Sequence, residues 1–302
     1  MPAGVPQEHE NMELPMSVEE KSVQLKLDPE GALGAPELID LTYLESVADS
    51  SGLVIYLHGM GLDADDFRAL MDHDVAHGIA LTLPGFTGGH DANVKALSLS
   101  QHAEVVSRFV IAIRDEYPGK DISLVGFSLG ADLILRLAEF WHEQPTTRSN
   151  VDSVLLLDPN INHSTMHLSG VLAHADERNP IPEMKRVITS VDAKDDFAHI
   201  CSYIGKIASK NFLPIKQHAR DFWSWWRPAG DYMLFVTRLL ALCELAGNTR
   251  VVFSSAYEAH MTTLAGEFDC ERFPRLSCEV TDLGHFDLIG EDLLSRELTK
   301  MR

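Results

Sequence analysis

Five stretches of this chain are short, apolar and uninterrupted: GLVIYLHG (52–59), GIALTLPG (78–85), DISLVGF (121–127), VDSVLLLDP (151–159) and TRVVFSSA (249–256). A strand with one wet face alternates polar and apolar residues. Runs without alternation belong to strands covered on both faces, as in a parallel sheet. Helical repeats lie between them. After Ser98, the residues Val106, Phe109, Val110, Ile113 and Tyr117 fall on one helical face. Ser98 and Gln101 are spaced for a capping box, and Pro118-Gly119 stops the helix. After Ser128, the residues Leu133, Ile134, Leu137, Ala138 and Trp141 mark a second helical face. Such alternation predicts an α/β fold: a mostly parallel central sheet, helices on both faces and right-handed crossovers. Two earlier segments, SVQLKL (22–27) and IDLTYLESV (39–47), alternate and suit an antiparallel edge hairpin.

The alternation breaks between residues 160 and 248. That segment holds helical stretches, among them PIKQHARDFWSWW (214–226) and DYMLFVTRLLALCELAG (231–247), but no clear strand. It is too long for a connecting loop and predicts a helical cap inserted into the core. The core is then residues 18–159 and 249–302, and residues 1–17, polar with three prolines, form a flexible tail. A formal net charge of −20 argues against nucleic acid or an anionic membrane as partner, since both require basic patches. The first residues lack the basic start and apolar run of a secretory signal. No stretch approaches the roughly 20 apolar residues that span a bilayer. Cys201, Cys243, Cys270 and Cys278 form neither a CxxC pair nor a zinc-ligand spacing; Cys270 and Cys278 are close enough in sequence to pair, but isolated buried thiols are expected. Together these features predict a cytoplasmic protein with no membrane span.

The sequence ISLVGFSLGADLILRLAEF (122–140) sets Ser128 between Gly126 and Gly130, where a strand turns into a helix. A tight strand-to-helix bend strains its turn residue and lifts that side chain clear of the sheet at the strand's carboxyl end. Residues two before and two after must be small, or strand and helix collide. The serine would also sit at a helix N-terminus, where free amides stabilise negative charge. The motif follows an apolar strand and opens a helix, as an exposed, reactive serine would require.

At these residues the chain resembles the α/β-hydrolase superfamily, from about residue 20 onward. GFSLG matches that family's nucleophile elbow and LHGMG (57–61) its oxyanion loop. LPGFTGG (83–89) resembles the loop after its fourth strand, and GHF (284–286) the site of its catalytic histidine. The resemblance implies a serine–acid–histidine order along the chain. His285 follows an apolar segment, LSCEVTDLG, and precedes the final helix, so it is expected beside Ser128 as general base and then general acid. The family usually takes its carboxylate from the end of the strand before the last, which selects Glu258 in SAYEAH; the usual Gly-x-x-Asp context is missing there. Asp158, ending VLLLDP, is the alternative, because some members place the acid after the earlier strand. Backbone amides of Met60 and Leu129 are expected to hold the oxyanion, with His58 bracing the turn.

These residues together predict a serine hydrolase acting on a small-molecule carboxylic ester or thioester through an acyl-enzyme, with neither cofactor nor metal implied. Carbon–carbon bond hydrolysis and acyl transfer use the same triad. A binding protein that keeps the pocket without turnover, or a scaffold with a vestigial site, are readings from other classes. His163, His167 and His174 match no established ligand set. Trp223, Trp225 and Trp226 either line an acyl pocket or pack the cap. LPGFTGG lacks the lysine of a P-loop, and GxGxxG is absent, so no nucleotide is indicated.

Overall fold

The computed structural model describes residues 17–28, 37–73, 76–89, 96–176, 179, 181–189 and 194–301. The tail expected over residues 1–17 lies outside them except for Ser17. In chain order, β1 (Val18–Leu27), β2 (Glu37–Ser46) and β3 (Gly52–Leu57) precede α1 (Arg68–His73) and β4 (His77–Leu81). Then come α2 (Leu99–Glu116), β5 (Asp121–Phe127), α3 (Leu129–Glu143) and β6 (Val151–Leu157). Five helices follow: α4 (His167–His174), α5 (Ile181–Thr189), α6 (Lys194–Ala208), α7 (Phe212–Trp225) and α8 (Met233–Leu245). The chain closes with β7 (Ala246–Phe253), α9 (Glu258–Glu267), β8 (Leu276–Val280) and α10 (Glu291–Met301).

The eight strands form one sheet in the order β1-β2-β4-β3-β5-β6-β7-β8. From β4 to β8 every pairing is parallel. The two alternating segments form the predicted antiparallel hairpin, β1 with β2, and β2 joins it antiparallel to β4. The continuous apolar runs are buried on both faces: all five residues of β4, and Leu53 through Leu57 of β3, are buried. One group of packed helices is α1 with α10; another is α2, α3 and α8. The fold class is therefore as expected: a mostly parallel sheet flanked by helices, with a helical region inserted after β6. Ser98 and Gln101 do form the capping box of α2, with bonds of 2.9 and 3.3 Å.

Within the inserted region, α8 lies along α3, where Arg238 Nε donates to Glu139 at 2.7 Å. The Trp225 indole donates to Glu139 at 2.9 Å and the Trp226 indole to Asp132 at 3.1 Å, while Arg238 stacks 3.3 Å from the Trp225 ring. These two tryptophans fasten α7 to α3. The thiols expected in isolation include one facing pair, Cys270 and Cys278, with sulfurs 3.1 Å apart.

Candidate active site

Parallel strands bring their carboxyl ends to one edge, and the candidate residues follow β3, β5, β6 and β8 there. Ser128 is the single residue between β5 and α3. Its φ of 52° lies in the left-handed region, and its amide donates to Leu157 O at 2.7 Å, which ties the bend to β6. The flanking glycines are required by contact distance. A Cβ on Gly130 would stand 2.2 Å from the Leu57 carbonyl oxygen, and one on Gly126 would stand 2.6 Å from the Ala131 amide nitrogen. Both obstacles are backbone, so neither can swing aside.

Among the described residues, one other non-glycine has a positive φ: Asp158, at 46°. Such backbone costs on the order of 1–3 kcal/mol per residue and gathers at functional sites. Asp158 directly follows β6 and is buried. Its amide donates to Val252 O at 2.9 Å, and its Oδ1 accepts the Ser254 amide at 2.6 Å. Its Oδ2 accepts the Nδ1 proton of His285 at 2.7 Å.

His285 reaches Asp158 because the loop after β8 folds back over the end of β7. Thr281 donates its amide to Phe253 O at 2.8 Å, and Ser255 donates its amide to Leu283 O at 2.9 Å. The imidazole then rests on the Phe127 ring, centroids 4.7 Å apart.

Here the favoured carboxylate is corrected. The acid bonded to His285 is Asp158, and Glu258 is not its partner. Glu258 lies five residues beyond the last residue of β7, after a 3-10 turn (Ser255–Tyr257), and its side chain is exposed as the first residue of α9. That turn carries it past the strand end, and its charge suits the helix N-terminus instead.

Met60 lines the same crevice as Ser128, and Leu129 follows Ser128 directly in the chain. Met60 occupies the second position of a turn closed by the Leu62 amide donating to Gly59 O at 3.2 Å, with Gly61 at φ 74° third, the type II pattern. Leu129 opens α3, where first-turn amides have no helical acceptor. His58 braces this turn as expected from its place beside it. Its Nδ1 proton goes to Gly59 O at 2.8 Å, and its Nε2 accepts the Leu83 amide at 3.0 Å. Burial drives its pKa down to about 4, consistent with a neutral ring bonded at both nitrogens.

Two supports were not legible from motif spacing. Lys210, buried just beyond α6, donates to Gly61 O and Leu62 O at 2.8 Å each and to Asp63 at 2.7 Å. The inserted region thus grips the Gly59–Leu62 turn through this ammonium. Asp132, in the first turn of α3, accepts the Asn160 backbone and side-chain N–H groups at 2.8 and 2.6 Å. This pins the chain two residues past Asp158; burial pushes the Asp132 carboxyl up to about 7 against those donors.

Ser128, His285, Gly59 and Met60 line one crevice, closed from above by Leu168 and Ser169 of α4 and Tyr203 of α6. Its free volume is about 10 Å³, at the threshold for a single water. The other signals serve packing. His163 donates to Trp223 O at 2.8 Å and stacks on that ring, and His174 donates to Gly170 O at 2.7 Å. Among the described residues no group of three His, Cys, Asp or Glu side chains is arranged to hold a metal, and no helix is long and apolar enough to cross a membrane.

The sequence matches the model of the Alpha/beta hydrolase family over residues 54–292. No curated protein matches it by sequence. Among solved structures it is similar to an AqdC variant described for recognition and ring-cleavage of the Pseudomonas quinolone signal: 13% identity, TM-score 0.65, covering 93% of this chain and 98% of that one. A thermophilic esterase from Thermogutta terrifontis, with malate bound, is similar at 14% identity and TM-score 0.62, covering 92% and 97%. A bacterial membrane phospholipase A is similar at 16% identity and TM-score 0.59, covering 94% and 85%.

Proposed function

Because the chain belongs to the alpha/beta hydrolase family, we propose that it is a serine hydrolase that cleaves a carboxylic ester or thioester through an acyl-enzyme. The observation that carries this reading is the 2.7 Å bond from His285 Nδ1 to a buried carboxylate, on the rim where Ser128 stands in a strained turn. A bond to Nδ1 leaves Nε2 as the basic nitrogen. In this mechanism Nε2 takes the Ser128 hydroxyl proton while Oγ attacks the acyl carbon. The carbonyl oxygen becomes an oxyanion held by the amides of Met60 and Leu129. When the carbon–oxygen or carbon–sulfur bond breaks, Nε2 returns the proton to the leaving group. Water then enters, gives its proton to Nε2 and attacks the acyl carbon; the acid departs and Ser128 regains its proton. Asp158 holds the tautomer throughout and stabilises the imidazolium. An esterase and a phospholipase among the similar structures support an ester as the bond broken.

The test is hydrolysis of p-nitrophenyl and coenzyme A esters of graded acyl length by the wild type and Ser128→Ala. The expected result is turnover of at least one ester series, lost in the variant. Equal rates for both proteins would overturn the reading.

A further inference from the structure

Tyr203 lines two neighbouring spaces. On one side is the tight crevice over Ser128; on the other is a cavity of about 590 Å³, and the two share Leu62, Tyr203 and Phe286 as walls. Tyr203 is 4% exposed, and its hydroxyl has no hydrogen-bond partner among the described residues. A buried hydroxyl without a partner costs about 1–3 kcal/mol, a penalty that a ligand oxygen within its reach would relieve.

The mechanism proposed above says which half of a substrate belongs on this side. His285 must return its proton to the leaving group, so that group lies on the histidine's side of the acyl carbon. The cavity is walled by Leu283, Phe286 and Asp287, the residues around His285. Its charge then restricts what enters. Asp66, Asp287, Glu291 and Asp292 all line it. The lysine among its walls, Lys206, is committed to Asp66 at 2.7 Å and Asp63 at 3.4 Å. His199 stands 3.9 Å from Asp287. An anionic leaving group would face an acidic wall, four carboxylates to one ammonium, whereas a neutral or cationic one would meet no such repulsion.

Resting on the serine-hydrolase reading, we infer that the cavity takes a non-anionic alcohol as leaving group and that the Tyr203 hydroxyl donates a hydrogen bond to that alcohol's ester oxygen. His285 supplies the proton; Tyr203 only polarises the bond that breaks. The substrate class is thereby narrowed to esters of neutral or cationic alcohols, and coenzyme A thioesters are disfavoured twice, by charge and by sulfur's weak acceptance.

The experiment compares the wild type with Tyr203→Phe on a matched ester and thioester that share a neutral leaving chain, and on an ester whose alcohol carries a carboxylate. Thermal unfolding is read alongside. The variant is expected to unfold at the same or a higher temperature, because it keeps the ring and loses an unpartnered hydroxyl. Its kcat/KM should fall about tenfold on the ester and less than about twofold on the thioester. Wild-type turnover of the carboxylate ester should be at least about tenfold below that of the neutral one. Equal ester rates in the two proteins would overturn the Tyr203 role and leave the Ser128 mechanism standing. Equal wild-type rates on the neutral and carboxylate esters would overturn the charge selection. If the wild type hydrolyses none of the three, both this inference and the serine reading fall.

Discussion

The strand ends and the inserted helices reach the same few atoms by opposite means. Ser128 and Asp158 owe their placement to backbone: each follows its strand at once, with φ of 52° and 46°, and each donates its amide to a neighbouring strand. α4 to α7 contribute single side chains over long sequence distances. Lys210 grips carbonyls 148 and 149 residues away, and His218 of α7 packs on His102 of α2 with ring centroids 4.1 Å apart. One region is placed by the path of the backbone. The other is placed by side chains, among them Ile215, Ala219 and Phe222 of α7, which are buried in the core.

The sharpest break in that comparison concerns the two carboxylates. Asp158→Asn should lower turnover by about 10⁴-fold with the fold intact, and Glu258→Gln should leave it within about twofold, as steady-state kinetics would reveal. A large loss in the second variant would return the acid to the end of β7.

Acid should strain the junction between the regions. Burial holds His58 at about 4, His102 at about 3 and His218 well below its usual 6.5. Below pH 6.5 the unfolded chain gains three protons on these rings that the folded chain refuses. Asp132 works the other way: raised to about 7, it is protonated in the folded state and not yet in the unfolded. Three protons against one leave a net two, so these groups should lower stability as the pH falls from 6.5 to roughly 4. Urea unfolding at pH 7, 6 and 5 measures this, and a midpoint that does not fall with acid would contradict it.

Lys210→Met should lower kcat by about 10- to 100-fold with little change in KM, because the oxyanion turn loses its brace while the binding walls remain. An unchanged kcat would make the ammonium a purely structural tie. The smallest effect is expected for Trp225→Phe, which removes the bond to Glu139 and part of the Arg238 stack. Stability should drop by about 1 kcal/mol in a denaturant titration, with turnover unaffected.

The same contrast explains what could be read from the amino acids alone. The central strands were legible because burial on both faces leaves an uninterrupted apolar run. The elbow was legible because its constraint is local: Gly126 and Gly130 are small for the sake of atoms within five residues or on the adjoining strand end. The acid was not, because the choice depends on where the loop after β8 lands, and the Ser255–Leu283 bond that directs it joins separate strand ends. Asp158 did carry one usable signal, a carboxylate abutting its strand with no intervening turn. The attachment of α8 to α3 was not legible either, since Arg238 and Glu139 meet across 99 residues. Lys210 and Tyr203 gave no signal at all, since a lysine after one helix and a tyrosine within it look solvent-facing or packed until their neighbours are known.

The central claim is tested most directly by reacting the protein with a fluorophosphonate and mapping the adduct by peptide mass spectrometry. A single adduct on the peptide carrying Ser128, absent when the protein is unfolded beforehand, is the predicted result. An intact, folded protein that remains unlabelled there, or that is labelled on a different serine, would contradict it.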